Sequence, residues 1–316
     1  GTRWRAAEPA RARARAAASS SAGPARPRAR ASTLEPQTMT PARSAVGGLA
    51  AMEWWLGYAA IGAAVGFFAG LLGIGGGAIS VPLLALLFEK QGLPREQMLL
   101  LAVGTAMASI LFTSASSVWS HASRGAVRWD VFRRITPGIL AGGLIGALLA
   151  SRIPTRGLAL FFALFVYGLA TRLLFARAPT AARELPGPRG MFLVGAAISG
   201  LSSLVAIGGA AMTVPFMVLC NVPVLHAIGT ASAIGFPIAA AGTAGYVLTG
   251  LLDGPLPRLS LGFVYLPALA GLVVASVLTA PLGALAAHRL PTRRLRQAFA
   301  ALLYVLATRM LVRLWG

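Results

Sequence analysis

Acidic residues are scarce in this chain: eight Asp+Glu among 316 residues, against 28 Lys+Arg. Charged residues of both signs make up only 11% of the sequence, where a soluble domain uses about a quarter. That shortage excludes an ordinary water-facing surface. Cysteine is nearly absent as well. Cys220 stands alone, so neither an intrachain disulfide nor a thiolate metal cluster can form. His121, His226 and His288 lie far apart in the sequence and read as helix-end residues, not ligands. No metal, no cofactor and no enzymatic activity are expected.

What is present is apolar. Hydrophobic residues make up 57% of the chain, and the mean hydropathy is +0.74. The apolar runs are long and rich in Ala, Leu and Gly, without strand-like alternation. Lipid is the solvent that tolerates such a surface, and in lipid the backbone must satisfy itself as helix or closed barrel. Run length and the missing alternation select helices. The expectation is an all-α polytopic membrane protein, multi-pass in the cell (inner or plasma) membrane. The formal net charge is +20, a basicity also found in nucleic-acid binders. Here the arginines sit at the ends of apolar runs, where cytoplasmic-side anchors and lipid-phosphate contacts belong. Membrane lipid is therefore the expected partner, and nucleic acid is not.

Residues 1–51 differ from the rest. They carry nine arginines and two glutamates with no apolar period, a composition that cannot bury a core. An Arg-rich, acid-poor leader also fits an organelle transit peptide. Gly1 opens the chain and Met52 directly precedes the first apolar run, so the segment reads as a disordered basic tail from an over-extended start. After it come a first transmembrane repeat at 52–176, a polar linker at 177–190 and a second repeat at 191–316. The first repeat has apolar runs at 54–88, 98–119, 131–151 and 157–176. The second has them at 191–220, 224–250, 260–287 and 295–314.

The internal repeat is quantitative. Gly146–Leu174 and Gly283–Leu311 match without gaps at 17 of 29 positions. Shared residues include Pro154/Pro291, Tyr167/Tyr304 and the Ala-Thr-Arg runs ending at Arg172 and Arg309. Ile74-Gly75-Gly76-Gly77-Ala78-Ile79-Ser80-Val81-Pro82 parallels Ile207-Gly208-Gly209-Ala210-Ala211-Met212-Thr213-Val214-Pro215. Val103-Gly104-Thr105-Ala106 parallels Ile228-Gly229-Thr230-Ala231. The correspondences keep one order, so the whole unit is duplicated: two four-segment helical repeats, each opening with a glycine-broken helix.

The run at 54–88 would span about 52 Å as one helix, against a hydrocarbon layer of about 30 Å. It must break, and Gly73, Pro82 and the second-half Pro215 mark the structural helix breaks. Matching breaks in two halves point to a transport site. A helix restarting after a break presents unpaired N–H groups, and these with the helix dipole make an anion site without charged side chains. The candidate substrate-binding residues are Gly75, Gly76, Gly77, Ser80 and Thr105 with Gly208, Gly209, Thr213 and Thr230. Lone glycines such as Gly62 and Gly143 read instead as close helix packing. Acidic residues fall at run ends or in loops, unlike the intramembrane carboxylates of proton and cation relays.

The run from Gly66 to Pro82, the downstream Val103-Gly104-Thr105 and the degenerate second copy resemble the sulfite exporter TauE/SafE family of membrane permeases. The resemblance covers about 53–315. It implies a secondary transporter for a small anion: sulfite, a sulfonate, or a related organosulfur or organic anion. Carried over to this chain, the family motif falls on Gly73, Gly75, Gly76, Gly77 and Pro82, then Gly208, Gly209 and Pro215. Two departures are Ala210, where a third glycine is common, and the extra Ser202-Ser203-Leu204. The basic residues cluster in the 120–134 loop of the first half but at 288–296 of the second, which points to inverted halves. Two other readings stand beside transport. One is an intramembrane serine protease using Ser202 and His226. The other is a non-transporting membrane partner or assembly factor.

Overall fold

The computed structural model describes residues 41–72, 76–175, 183–289 and 292–315. The tail at 1–40, Gly73, Gly75 and part of the linker lie outside these residues. The chain divides into two units, Gly1–Ser44 and Ala45–Gly316. Among the described residues the first unit holds only the opening of α1.

Among the described residues ten helices follow in order: α1 (Pro41–Leu72), α2 (Gly77–Lys90), α3 (Arg95–Ala122), α4 (Trp129–Arg152), α5 (Thr155–Phe175), α6 (Pro188–Val205), α7 (Ala210–Leu219), α8 (Val224–Leu252), α9 (Leu266–Arg289) and α10 (Thr292–Trp315). Six of them contain spans long and apolar enough to cross a membrane. Exposed side chains along α4 and α5 include Leu140, Ile145, Leu149, Leu160 and Leu164, an outer surface suited to lipid. Trp119 and Trp129 are exposed near helix ends, where interfacial tryptophans belong. The protein is an all-α, multi-pass membrane protein.

The ends of the helices follow the sequence. Pro188 occupies the first turn of α6 behind Gly187, a position where its missing N–H is harmless. One run departs from expectation. The 260–287 segment begins not as helix but as an antiparallel hairpin, β1 (Ser260–Leu261) with β2 (Val264–Tyr265). Its turn residue Gly262 has φ +55°, and a Cβ there would overlap the Val247 backbone. Only glycine fits both demands. The first helix also starts earlier than the apolar run that it contains, at Pro41.

Both glycine-broken segments fold back on themselves. Gly57 faces Leu87 while Gly76 faces Val65, so α2 returns antiparallel along α1. Tyr58 and Gln91 close the open end of this hairpin with a hydrogen bond of 2.6–2.9 Å. In the second half the Arg183 N–H donates to the Leu219 carbonyl at 3.1 Å, bringing the end of α7 back beside the approach to α6.

Corresponding helices of the two halves run antiparallel. On α3 and α8, Gly104 faces Tyr246, Met107 faces Gly242 and Ser114 faces Gly235. On α5 and α10 the Tyr167 hydroxyl bonds Thr308, and Thr171 bonds the Tyr304 hydroxyl at 2.6 Å. The tyrosine rings pack at 5.4 Å between centroids. Each tyrosine on one helix meets the threonine on the other. The exchange is reciprocal across the two antiparallel helices.

Glycine seams close the remaining contacts. A Cβ on Gly138, Gly142 or Gly146 of α4 would overlap the α6 backbone at Phe192, Ala196 and Gly200. Gly62 and Gly66 of α1 meet α9 at Leu272 and Ser276 in the same way. Gly143 lies against Ala241 and Ser199. Gly62 and Gly143 thus serve packing, as small residues do between membrane helices.

The Gly-Thr pairs link the halves. Thr105 accepts the Tyr265 backbone N–H at 2.9 Å, and Thr230 accepts that of Arg128 at 2.9 Å. The preceding glycines leave room for the incoming loop, since a Cβ would overlap the Phe263 carbonyl at Gly104 and the Ala126 carbonyl at Gly229. Gly104→Ala and Gly229→Ala are therefore expected to destabilise the protein by about 1–3 kcal/mol each. Gly168→Ala, with open space around its Cβ, is expected to be neutral or to stabilise by up to about 1 kcal/mol. Thermal unfolding in detergent checks the ranking; equal midpoints for all three variants would refute it.

Candidate functional site

The two helix breaks meet inside the protein. A Cβ on Gly77 would overlap the Ala206 carbonyl and lie 3.3 Å from Ile110 of α3. Ala206 ends α6 in the left-handed conformation, φ 48°, ψ 37°. Its own N–H and that of Ile207 both turn back to the Ser202 carbonyl. On the other side, a Cβ at Gly209 would meet Ile234 and Ile238 of α8. The tips of the two hairpins are thus wedged between α3 and α8, near the middle of both helices. Irregular backbone at membrane depth is tolerated only when protein or a water-filled cavity surrounds it, and here protein does.

At this meeting point α2 and α7 begin. Gly76 precedes the one and Gly209 the other, and neither helix has a side-chain cap. The first N–H groups of a helix have no intrahelical acceptor. The breaks bring two positive helix ends into one buried region, although the Ile79 N–H already turns back to the Gly76 carbonyl, and those of Ala211 and Met212 to the Gly208 and Gly209 carbonyls. Gly76, Gly77, Gly208 and Gly209 are all buried. Pro82 and Pro215 lie within α2 and α7. Each removes one interior N–H and frees the carbonyl four residues earlier.

The hydroxyls separate into three behaviours. Ser80 is buried and donates to its own helix at the Gly77 carbonyl, 3.3 Å away. Thr105 and Thr230 are buried and accept backbone amides from the opposite half. Thr213 is also buried, one turn into α7, but its Oγ1 has no hydrogen-bond partner. Of the four predicted hydroxyls, only Thr213 is unengaged beside a break.

Sequence reasoning passed over three more. Ser199, Ser202 and Ser203 on α6 are fully buried, and none of their Oγ atoms has a partner. Ser203 lies beside Gly146 and Gly242, and its carbonyl accepts the buried Tyr246 hydroxyl at 2.9 Å. These serines lead back along α6 from the second break, on the far side of which lies Thr213. Ser202 and Ser203 belong to the insertion noted in the second copy, which was the available signal. Among the described residues, no buried side chain is charged. His226 sits at the start of α8 with Nδ1 3.3 Å from the Ala126 carbonyl, and Ser202 Oγ is unpartnered. No Ser–His pair is formed.

An unpaired buried hydroxyl costs about 1–3 kcal/mol. Thr213→Val, which keeps the shape and removes the hydroxyl, is expected to raise the melting temperature measured without added anions. Ser80→Ala, which loses only a bond within its own helix, is expected to change it little. A lower midpoint for Thr213→Val would show that its hydroxyl is already satisfied.

Comparison with known proteins places this arrangement. The family model described as "Sulfite exporter TauE/SafE" matches residues 58–310. A Haemophilus influenzae protein named "Probable membrane transporter protein" is 32% identical over 254 residues, covering 80% of this chain and 96% of that protein. "Probable membrane transporter protein YdhB" of Bacillus subtilis is 28% identical, covering 60% of this chain and 77% of its own length. A Methanocaldococcus jannaschii relative, "Probable membrane transporter protein MJ0441", is 25% identical over 80% of this chain and 93% of its own. No solved structure matches.

Proposed function

The chain belongs to the sulfite exporter TauE/SafE family, and from that premise we propose that it is a secondary transporter for a small oxyanion such as sulfite or a sulfonate. Membrane permease is the activity common to the family and to the named relatives. One observation carries the narrower reading. Two uncapped helix N-termini meet in a buried region that holds unpaired hydroxyls and no buried carboxylate among the described residues. Such a region offers many hydrogen-bond donors and no fixed negative charge. An anion satisfies those donors; a cation does not.

The substrate class follows from donor chemistry. A small oxyanion presents several acceptor oxygens at short spacing. The hydroxyls of Thr213 and the α6 serines supply donors of matching kind, and the positive end of α7 adds to them. In this reading Gly76, Gly77, Gly208 and Gly209 let backbone approach the substrate, and Ser80 and Thr213 are the paired first-turn hydroxyls. Thr105 and Thr230 serve the site indirectly by clasping the halves together. The Gly77–Ala206 contact closes the region in the conformation described, so passage requires the two hairpins to separate. Antiparallel halves rocking against each other would open it first to one side and then to the other.

Uptake or efflux of radiolabelled sulfite or a small sulfonate by proteoliposomes tests the proposal. Gly76→Leu is expected to abolish flux, because the side chain would drive into Val65. Thr213→Val is expected to cut flux about 10-fold or more. Folded wild-type protein without flux of any small anion would end the transport reading. A non-transporting membrane partner predicts instead that Gly76→Leu leaves partner binding intact.

A further inference from the structure

The repeated Ala-Thr-Arg in α5 and α10 carries a charge that the transport reading has not used. Arg172 directly follows Thr171, where α5 crosses α10 through the Tyr–Thr exchange. Its segment, Thr155–Phe175, is itself a candidate membrane span. The side chain is exposed on the helix surface. Its Nη1 reaches back to the Ala211 carbonyl at 3.4 Å. Ala211 is in the first turn of α7, two residues before Thr213. It is also four residues before Pro215, so Pro215 takes away the amide that its carbonyl would otherwise accept. A guanidinium has five N–H donors, and one long hydrogen bond to a neutral carbonyl leaves most of that capacity free.

We propose that Arg172 is the anion-recruiting residue of the second break. It offers the substrate a fixed positive charge beside the start of α7 and Thr213. The proposal rests on the transport reading and names a residue of the same site. Arg172 stands in the last turn of α5, where an arginine would ordinarily turn to the lipid interface. Here it is anchored instead on a helix whose first turn also holds an unpartnered buried hydroxyl. The carbonyl freed by Pro215 holds the guanidinium in place without neutralising it. An arriving oxyanion competes for the same donors and makes charge-assisted bonds, which are shorter and about twice as strong as neutral ones. Arg309 occupies the matching position on α10 and is also exposed. Among the described residues it makes no corresponding bond to α2, so it serves as an internal control for charge on the same pair of helices.

Arg172→Gln separates the two roles that this side chain can play. Glutamine still donates to the Ala211 carbonyl but carries no charge; lysine keeps the charge. In proteoliposomes loaded with radiolabelled sulfite or a small sulfonate, Arg172→Gln is expected to raise KM about 10-fold or more with an unchanged melting temperature. Arg172→Lys is expected to recover most of the loss, and Arg309→Gln to stay within about 2-fold of wild type. Protection of purified Arg172→Gln against thermal unfolding by the same anions should weaken in parallel. Wild-type flux with an unchanged KM in Arg172→Gln would overturn the assignment while leaving transport intact. So would a lowered melting temperature that lysine fails to restore, which marks a structural cap. No anion flux in the wild type would overturn the transport reading and this assignment together.

Discussion

A helix broken inside a bilayer leaves backbone groups without partners, and water is not there to take them. Each such group costs several kcal/mol if left in hydrocarbon. The architecture of this protein follows from enclosing two such breaks. The hairpin tips are pressed together at Gly77 and Ala206 and wedged between α3 and α8. Enclosure demands that backbones approach closely, which is why the surrounding contacts are glycines against carbonyls: Gly104 at Phe263, Gly229 at Ala126, Gly142 at Ala196. The clasps at Thr105 and Thr230 then tie each half to a loop of the other. Packing, hydrogen bonding and the position of the site answer one requirement.

Much of this was legible in the sequence. Composition alone called for lipid, and the excess length of the 54–88 run called for a break. The near-verbatim stretch around Tyr167 and Tyr304 reads as scaffold, and in three dimensions it is the seam where the halves exchange hydrogen bonds. The reason is physical: a reciprocal contact needs the same residues twice, so it leaves matching residues in a duplicated sequence.

The illegible parts are long-range. Thr105 and Thr230 looked like candidate ligands because each follows a glycine in both halves. Nothing local reveals that loop amides more than 100 positions away would claim their oxygens. Ser202 and Ser203 stood out only as an insertion in the second copy, and Ser199 not at all, because a serine on a helix usually bonds its own backbone. Their lack of partners appears only when α4, α6 and α8 are assembled. The hairpin at 260–265 was read as the start of a helix because its hydropathy is helix-like. The left-handed φ at Leu259 and Gly262 overrides that signal.

The two copies do not contribute equally. Ser80 closes on its own helix while Thr213 is unengaged, and the second copy alone carries the inserted Ser202-Ser203. In the proposed site the deep donors are neutral hydroxyls, and the arginine would stand at its edge. That order has a physical advantage. An arginine on the central break would hold an anion through charge-assisted bonds and slow its release. Translocation requires a site attractive enough to enter and weak enough to leave. An exposed guanidinium at the edge adds attraction during approach, and the neutral donors complete coordination without a permanent charge in the closed core. Burying a fixed charge at the centre of a membrane span would itself cost about 2.5–3.5 kcal/mol or more. Placing the charge beside the crossing of α5 and α10, on a carbonyl freed by proline, avoids that cost and keeps the charge within reach of the break.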